Sequence, residues 1–282
     1  MTRVRPGAML EAVKSGRKSR FRIGVLMLAI GLIAMTVPMQ AQAWWKPKPT
    51  VQAWQFQLQG KIDRSVPAPV FETDGDFTSR ETVQALRKKG VKVICYLNAG
   101  SWENFRSDRN RFPGRVLGKR YDGYPDERWL DVSRYRLFAP VIEDRVRNCR
   151  RKGFHGVEFD NVNGWENPTG FSITRTEQLR YNRWLARLAH RNRLAAGLKN
   201  DGPQARELAG AFDFAVVEQC FQYDECGQYR PFLNRGKAVF SVEYELPTSA
   251  FCDRAVDLGF SAISKDYDLF ALPWDPCIPP PT

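Results

Sequence analysis

The sequence predicts an α/β fold, a single (β/α)8 TIM barrel, and three observations support this. Strand-like and helix-like segments alternate eight times along the chain, which is the pattern of βα units, and eight parallel strands close such a barrel. The 239 residues that follow residue 43 of the 282 have the usual length of one barrel. Apolar residues make up 43% of the chain and aromatic residues 12%, which is enough for one large core.

Residues 1–43 are predicted to be a secretory signal peptide. Four basic residues between positions 17 and 22 precede an apolar run at 23–37, and Ala41-Gln42-Ala43 forms a small-x-small cleavage site. The run of 15 residues is short for a membrane span. An uncleaved N-terminal anchor is the alternative, but Pro38 and the cleavage site favour removal. We therefore expect an exported protein, periplasmic or extracellular, with no membrane attachment after cleavage.

Residues 44–53 are predicted to be a short extended linker because they contain a Lys-Pro-Lys-Pro run, and residues 54–282 form the barrel domain. Eight short apolar segments bounded by turn residues are the predicted barrel strands. In chain order these lie at 54–59, 70–73, 91–98, 156–161, 195–200, 214–220, 238–244 and 261–265. Two intervening helices have predicted starts, because Thr78 with Glu81 and Thr174 with Glu177 match the capping box.

One connection, residues 99–136 after the third predicted strand, is unusually long and rich in aromatic residues. Loops of this length are uncommon in compact domains and are often functional. At the carboxyl face of a barrel it would wall a cleft with rings suited to stacking on sugars, and Trp102 is the candidate platform. A self-packed loop with its own small core is the alternative, and it is compatible with the first.

Two apolar runs each end in a carboxylate, Asp160 after the fourth predicted strand and Glu218 after the sixth. The carboxyl ends of barrel strands carry the chemistry of this fold, so the two runs predict a paired-carboxylate site. Glu158 lies two residues before Asp160 and therefore points to the same side of the strand. Many other acids follow predicted strands. Glycoside hydrolysis is a reaction that uses such carboxylates, because one attacks or activates water, another protonates the leaving oxygen, and negative potential favours an oxocarbenium-like transition state. These other acids are Asp63, Asp74, Asp76, Asp201, Glu243 and Glu245, with Glu103 in the long connection.

Several other classes of function are disfavoured. The chain has two histidines, His155 and His190, without a zinc-ligand spacing, and no nucleophile elbow, Walker loop or dinucleotide fingerprint. The formal charge of +12 falls to +6 after residue 43, where 36 basic and 30 acidic residues remain. The remaining arginines lie on predicted helix faces without a recognition motif, so we expect no nucleic-acid partner.

Six cysteines in an exported chain permit disulfides, although six allow 15 pairings. Cys220 and Cys226 would close a short loop immediately after Glu218, and Cys252 could bond to Cys277. Cys95 and Cys149 are either buried thiols or each other's partners.

Six segments, taken together in order, carry a family resemblance. They are WQFQLQG at 54–60, VICYLNAGSWE at 93–103, ERWLD at 127–131, GFHGVEFDN at 153–161, LKND at 198–201 and EQCFQYDEC at 218–226. With these motifs, nearly all of the chain after residue 43 resembles glycoside hydrolase family 114, the endo-α-1,4-polygalactosaminidase family with a TIM-barrel fold.

The resemblance implies hydrolysis of an α-1,4-linked galactosamine polysaccharide without a metal or organic cofactor. Carried over by motif, Asp160 and Glu218 are the catalytic pair. By analogy with other retaining α-glycosidase barrels, Asp160 is expected to be the nucleophile and Glu218 the general acid/base. Asn163 stands where the family pattern predicts aspartate. A barrel that binds polysaccharide without cutting it is the alternative.

The strand positions predict which further residues bind substrate. Tyr96, Lys199, Asn200 and Glu243 end the third, fifth and seventh predicted strands and are expected to contact sugar hydroxyls or amines. Glu158 is expected to accompany Lys199 or a substrate amine, and Trp102 to stack on a sugar ring. We expect a monomer.

Overall fold

The computed structural model describes residues 44–280, and the predicted signal peptide lies outside the described residues. Within residues 44–280, no helix is long and apolar enough to cross a membrane. The predicted linker, residues 44–53, has no regular secondary structure. Trp44 stacks on His190 with ring centroids 4.3 Å apart, and the ring of Trp45 lies 6.1 Å from that of Phe214. This segment therefore lies against the amino ends of the strands.

The strands and helices follow one another along the whole described chain. In order they are β1 (Trp54–Gln57), β2 (Val70–Asp74), α1 (Arg80–Lys88), β3 (Lys92–Asn98), β4 (Ser101–Glu103), β5 (Leu117–Tyr121), β6 (Tyr124–Leu130), α2 (Ala139–Lys152), β7 (Gly156–Asp160), α3 (Arg175–Arg191), β8 (Ala195–Lys199), α4 (Ala205–Leu208), β9 (Phe214–Glu218), α5 (Arg230–Leu233), β10 (Ala238–Glu243), α6 (Thr248–Leu258), β11 (Ser261–Ser264) and β12 (Asp275–Pro276).

Eight parallel strands form the barrel in the order β1, β2, β3, β7, β8, β9, β10, β11. Each of the eight overlaps a predicted strand, so the prediction of a (β/α)8 barrel is confirmed. The strands are apolar because most of their residues are buried on both faces, as the pattern of β9 illustrates. The carboxyl ends of β7 and β9 consequently bring Asp160 and Glu218 to the same face of the barrel.

The seam between β11 and β1 is closed by the C-terminal segment. β12 pairs antiparallel with β11, and Trp274 Nε1 donates to the Trp54 carbonyl at 2.7 Å. The Leu58 amide donates to the Leu269 carbonyl at 3.0 Å. These bonds satisfy backbone groups at an edge that would otherwise be unpaired.

The helices differ from the predicted eightfold alternation. Residues 58–69 after β1 and 265–274 after β11 contain no helix, and α4 and α5 are single turns. The capping box of Thr174 and Glu177 is confirmed at the start of α3. The predicted cap at Thr78 is wrong by one residue, because Ser79 is the N-cap of α1 and its side chain accepts from the Thr82 amide.

The long connection after β3 is not an irregular loop. β4, β5 and β6 form a three-stranded antiparallel sheet in the order β4, β6, β5, which we call the inserted sheet. Trp129 and Leu130 of β6 are buried, and the Leu130 amide donates to the Gly100 carbonyl at 2.9 Å. The segment therefore packs apolar residues such as Val116 and Leu130 into the core shared with the barrel and its helices, and not into a small core of its own.

Three disulfides join Cys95 to Cys149, Cys220 to Cys226, and Cys252 to Cys277. The two predicted pairs are confirmed, and the two cysteines left open are each other's partners. The first bond ties β3 to α2, and the second closes the loop directly after β9.

The barrel interior is filled by large side chains below the carboxyl face. Trp54, Phe56, Phe214 and Phe240 are fully buried there. A side chain at Gly197 would place its Cβ 2.4 Å from the ring of Phe214, so glycine at this position lets the ring occupy the axis. The packed interior supports a polar layer above it, at the carboxyl ends of the strands.

Candidate active site

A cleft of about 300 Å³ opens at the carboxyl ends of the barrel strands, where the active sites of this fold form. Acidic and aromatic side chains dominate its lining. The acids are Asp74, Glu103, Glu127, Asp160, Glu218 and Asp268, the rings are Phe56, Phe77, Tyr96, Phe105, Tyr121, Tyr124 and Tyr267, and the basic residues are Arg106 and Lys199.

The strand ends that carry this lining turn sharply. Asn161, Asn200, Asp201 and Gln219, which follow β7, β8 and β9, have φ between 48° and 60°. Such left-handed conformations are uncommon for residues other than glycine, and asparagine and aspartate adopt them most readily. Backbone strain of this kind is typical of functional sites.

Asp160, the last residue of β7, accepts hydrogen bonds at both carboxylate oxygens. Tyr96 donates its hydroxyl to Oδ2 at 2.7 Å, and the Asn161 amide donates to Oδ1 at 2.9 Å. Burial raises the pKa of Tyr96 well above its usual value, and the charge of Asp160 adds to the effect. The phenol therefore stays protonated and remains a donor to the carboxylate.

Glu218, the last residue of β9, has a similar set of partners. Tyr244 donates its hydroxyl to Oε1 at 2.5 Å. The side chain of Asn200 donates to Oε2 at 3.2 Å and accepts from the Glu218 amide at 3.0 Å. Asn200 therefore holds both the backbone and the carboxylate of Glu218, which fixes the direction of its side chain.

Lys199, the last residue of β8, lies between the two acids. Its Nζ is 3.3 Å from Oδ1 of Asp160 and 3.2 Å from Oε2 of Glu218. Those oxygens are therefore at most 6.5 Å apart, the sum of the two distances. Burial opposes the charged form of Lys199, but the charges of Asp160, Glu218 and Glu158 outweigh it and raise the pKa of Lys199 well above its usual value.

Two buried acids lie beneath these groups. Glu158 on β7 and Glu72 on β2 are both 0% exposed, and Lys199 Nζ is 3.5 Å from Oε1 of Glu158. Burial raises the pKa of both carboxyls. The charge of Glu158 adds to this effect at Glu72, whereas the charge of Lys199 opposes it at Glu158.

The inserted sheet contributes Glu127 to the lining of the cleft. Its Oε2 accepts from the Ser101 hydroxyl at 2.5 Å and from the Asn98 side-chain amide at 3.0 Å. Burial raises the pKa of Glu127 to about 7, with Glu103 and Asp160 adding to it and the two hydrogen bonds opposing it.

The structure brings together five of the residues predicted for the site. Asp160, Glu218, Tyr96, Lys199 and Asn200 line one cleft, as does Asn163, where an aspartate was expected. Their individual roles stay predictions.

Three predicted substrate-binding residues do not line this cleft. Glu158 is buried beneath it. Glu243 is buried and accepts from the Phe221 amide at 2.9 Å. Trp102 lines a separate cavity and donates to the Arg109 carbonyl at 3.0 Å, because the register of the inserted sheet turns its ring away.

Four residues of the site were not predicted from the sequence. Glu72 lies inside a strand, where a search at strand ends does not find it. Glu127 and Tyr121 belong to the inserted sheet, whose pairing was not predicted. Tyr244 directly follows β10, and that position was the one available signal.

The site has the groups for acid/base and nucleophilic chemistry. Within residues 44–280, no three or more His, Cys, Asp or Glu side chains are grouped as metal ligands. The ammonium group of Lys199 lies within 3.5 Å of three carboxylates, those of Glu158, Asp160 and Glu218. The arrangement can place two carboxylates on either side of a bond to be broken.

Comparisons with known proteins agree with this geometry. The model of glycoside-hydrolase family GH114 matches residues 34–277. Ega3 of Aspergillus fumigatus, solved in complex with galactosamine, is 34% identical with a TM-score of 0.78, over 83% of this chain and 98% of that one. No curated protein matches the chain.

Two more distant structures share the fold. The glycoside hydrolase domain of PelA from Pseudomonas aeruginosa is 15% identical with a TM-score of 0.63, over 78% of this chain and 95% of that one. The α-galactosidase TtGalA from Thermus thermophilus is 13% identical with a TM-score of 0.56, over 82% of this chain and 60% of that one.

Proposed function

The chain belongs to glycoside-hydrolase family GH114, and from this premise we propose that it cleaves α-1,4-linked galactosamine within a polysaccharide. The observation that carries the proposal is the placement of Asp160 and Glu218 on either side of Lys199. Glycosidases need two carboxyl groups flanking the scissile bond, and this cleft supplies them at the ends of β7 and β9, with β8 between them.

Asp160 is the proposed nucleophile and Glu218 the proposed general acid/base. Tyr96, the Asn161 amide and Lys199 all direct hydrogen-bond donors at the Asp160 carboxylate, which fixes its direction, and its side chain is 15% exposed. Glu218 is more open, at 27%, so it can exchange a proton with solvent. Glu218 protonates the leaving oxygen while Asp160 attacks the anomeric carbon, so that the glycosidic bond breaks and a glycosyl-enzyme forms. The deprotonated Glu218 then takes a proton from the water that attacks this intermediate and releases Asp160.

Retention of anomeric configuration is the proposed outcome. The two acids of retaining enzymes are about 5 to 5.5 Å apart and those of inverting enzymes about 6.5 to 9.5 Å. The limit of 6.5 Å set by the contacts with Lys199 favours the first class.

A cationic amino sugar is the proposed substrate. The cleft is lined by six acids and two basic residues, and one of these, Arg106, is already paired with Asp74 and Glu103 at 2.8 Å. An acidic cleft attracts an ammonium group even when the rest of the protein is basic, since distant surface charges are screened. The bound galactosamine of Ega3 is consistent with this choice.

Attack within a polymer is supported by exposed rings on both sides of the acids. Phe77 and Phe105 stack on each other over Arg106, and Tyr267 stacks on Tyr244 at the other side. Phe77, Phe105 and Tyr267 are 64%, 48% and 53% exposed. Flat apolar faces on either side suit a substrate that continues in both directions.

Export to the periplasm or the medium remains part of the proposal. Three disulfides are typical of proteins from oxidising compartments, and a signal peptide at residues 1–43 would provide the route.

The test uses the mature protein with galactosamine polymers, and it measures product sizes by mass spectrometry and the anomer first formed by NMR. We expect oligomers of the α-anomer from wild type, and none from D160N or E218Q with unchanged circular dichroism. Binding without products in wild type would favour the alternative, a polysaccharide-binding barrel. Near-normal cleavage by either variant would reject the catalytic pair.

A further inference from the structure

Glu72 lies in the middle of β2 and reaches the barrel interior. It shares an interior layer with Glu158, because the layers of such barrels are built by alternate strands, and β2 and β7 are the second and fourth of the barrel order. Both side chains are 0% exposed. Neither acid lines the cleft itself, so a role of either in the reaction must act through another residue.

The hydrogen bonds of this pair do not balance if both acids are ionised. Among residues 44–280, none of the four carboxylate oxygens of Glu72 and Glu158 receives a hydrogen bond. Buried polar groups are almost always paired, and two adjacent buried anions would repel each other. One proton placed on Glu72 and donated to Glu158 provides the missing bond and removes one charge.

The charges around the pair also favour a protonated Glu72. The charged and titratable groups around the two acids are Lys199 from β8, Asp160 from β7, Glu218 from β9 and Tyr96 from β3. Within the described chain, Lys199 is the one cation in contact with Glu158, and it also neutralises Asp160 and Glu218. Among residues 44–280, no cation forms an ion pair with Glu72, so its neutral form is favoured.

We propose that Glu72 is a positioning residue whose protonated carboxyl holds Glu158 ionised and turned toward Lys199. Lys199 in turn fixes the spacing of Asp160 and Glu218. This inference rests on the proposed function, since it assigns a role in the same reaction. Glu72 contacts neither substrate nor the reacting atoms.

The test compares E72Q with E72L. The amide of glutamine donates a hydrogen bond without carrying charge, so E72Q is expected to keep kcat within about threefold of wild type. Leucine leaves Glu158 without a donor, and kcat is expected to fall about 10- to 100-fold, the effect of an unsatisfied buried acceptor. The acid limb of the kcat profile of E72L shifts to higher pH, because Glu158 without its donor is more readily protonated.

T73V is the matched control, since Thr73 is the next residue of β2, is fully buried and has an unpaired hydroxyl. It points to the other face of the strand, so its acid limb should not move. Equal losses in E72Q and E72L, or full activity in both, would overturn the proposal.

A second measurement does not depend on activity or on E72L folding. The infrared difference spectrum of wild type minus E72Q at neutral pH should show the carbonyl stretch of a protonated carboxyl. A difference that contains only carboxylate bands would overturn the proposal even if the protein cleaves polymer. Conversely, if the wild-type protein showed the carbonyl band of a protonated carboxyl but cleaved no polymer, the proposed function would be refuted. The assignment of a proton to Glu72 would still hold.

Discussion

Tyr96 donates its hydroxyl to Oδ2 of Asp160 at 2.7 Å, and this bond orients the proposed nucleophile toward the cleft. Y96F removes the donor and keeps the ring. We expect kcat/KM to fall about 10- to 100-fold, because hydrogen bonds to charged groups contribute about 1.5–3 kcal/mol. Steady-state kinetics on galactosamine polymer test this. Y135F is the control, because the ring of Tyr135 packs against Tyr181 in the core, and it should have wild-type kinetics. Unchanged kinetics of Y96F would contradict the role assigned to Tyr96.

Lys199 should contribute to both activity and stability. K199M leaves Asp160, Glu218 and Glu158 without their shared cation, and breaking a buried ion pair by removing one partner costs about 3–5 kcal/mol. The pKa of Lys199 is raised in the folded protein, so its contribution is complete below the ordinary value of 10.5 and is lost only as pH rises through the higher folded pKa.

Urea unfolding at about pH 7 to 9 should therefore show a constant deficit for K199M, together with a loss of cleavage. K119M changes an exposed lysine of β5 and should alter neither. A K199M protein as stable as wild type would show that the three contacts do not pair charges.

The barrel strands were predictable because burial on both faces requires continuous apolar runs. β7 and β9 illustrate this, since each run ends in the carboxylate that the structure places in the cleft. The missing helices after β1 and β11 were not predictable, because the barrel closes there through contacts of the C-terminal segment, such as Trp274 with Trp54. Such closure depends on residues that are distant in the sequence.

The candidate site was predictable only where it coincides with strand ends. Glu72 was missed because its position depends on which face of β2 turns inward, and the neighbouring Thr73 and Asp74 give no alternation to reveal it. Trp102 was placed wrongly in space because a sheet register decides the direction of its ring, and the inserted sheet was not predicted. The central position of Lys199 follows from the adjacency of β7, β8 and β9.

Glu127 should make stability depend on pH. Its pKa is about 7 in the folded protein against an ordinary value of 4.5, so the folded state binds the proton more tightly. Stability from this group is therefore highest below about pH 4.5 and is lost as pH rises to about 7. In E127Q the amide oxygen can still accept from Ser101 and Asn98.

We expect the melting temperature of E127Q relative to wild type to increase between about pH 4.5 and 7 and then to level off. Thermal unfolding across this range measures it. A difference that does not change with pH would mean that Glu127 ionises in the folded protein as it does in the unfolded chain.

The three disulfides should stabilise the fold unequally. In the chain-entropy model, the 54-residue separation of Cys95 and Cys149 corresponds to about 4 kcal/mol, and the separation of six between Cys220 and Cys226 to about 2 kcal/mol. Cys252 and Cys277, 25 apart, should fall between. Paired alanine variants and chemical unfolding test the order.

The bond between Cys220 and Cys226 should matter more for catalysis than for stability, because Cys220 lies two residues after Glu218. We expect C220A/C226A to lose more of its kcat than C95A/C149A, although it loses less free energy of unfolding. If C95A/C149A lost more of its kcat than C220A/C226A, the loop closed by Cys220 and Cys226 would have no role in positioning Glu218.

Tyr124, and not Trp102, is the expected stacking platform of the inserted sheet. Tyr124 is 53% exposed, lines the cleft and contacts Tyr121 edge to face at 5.6 Å, and Tyr121 in turn stacks on Trp129 at 4.5 Å. This support gives the exposed ring a fixed orientation. Trp102 instead lines another cavity, with its indole N–H already bonded.

Y124A should therefore lower kcat/KM on long polymers about tenfold, the effect of losing one aromatic contact of about 1–1.5 kcal/mol. Cleavage of the shortest oligomers that are still substrates should change less, because they do not extend to the rim. W102F keeps the packing of its cavity and should match wild type on both substrates. If W102F lowered kcat/KM on polymer and Y124A did not, Trp102 would be the stacking residue. The inserted sheet would then have to move when polymer binds.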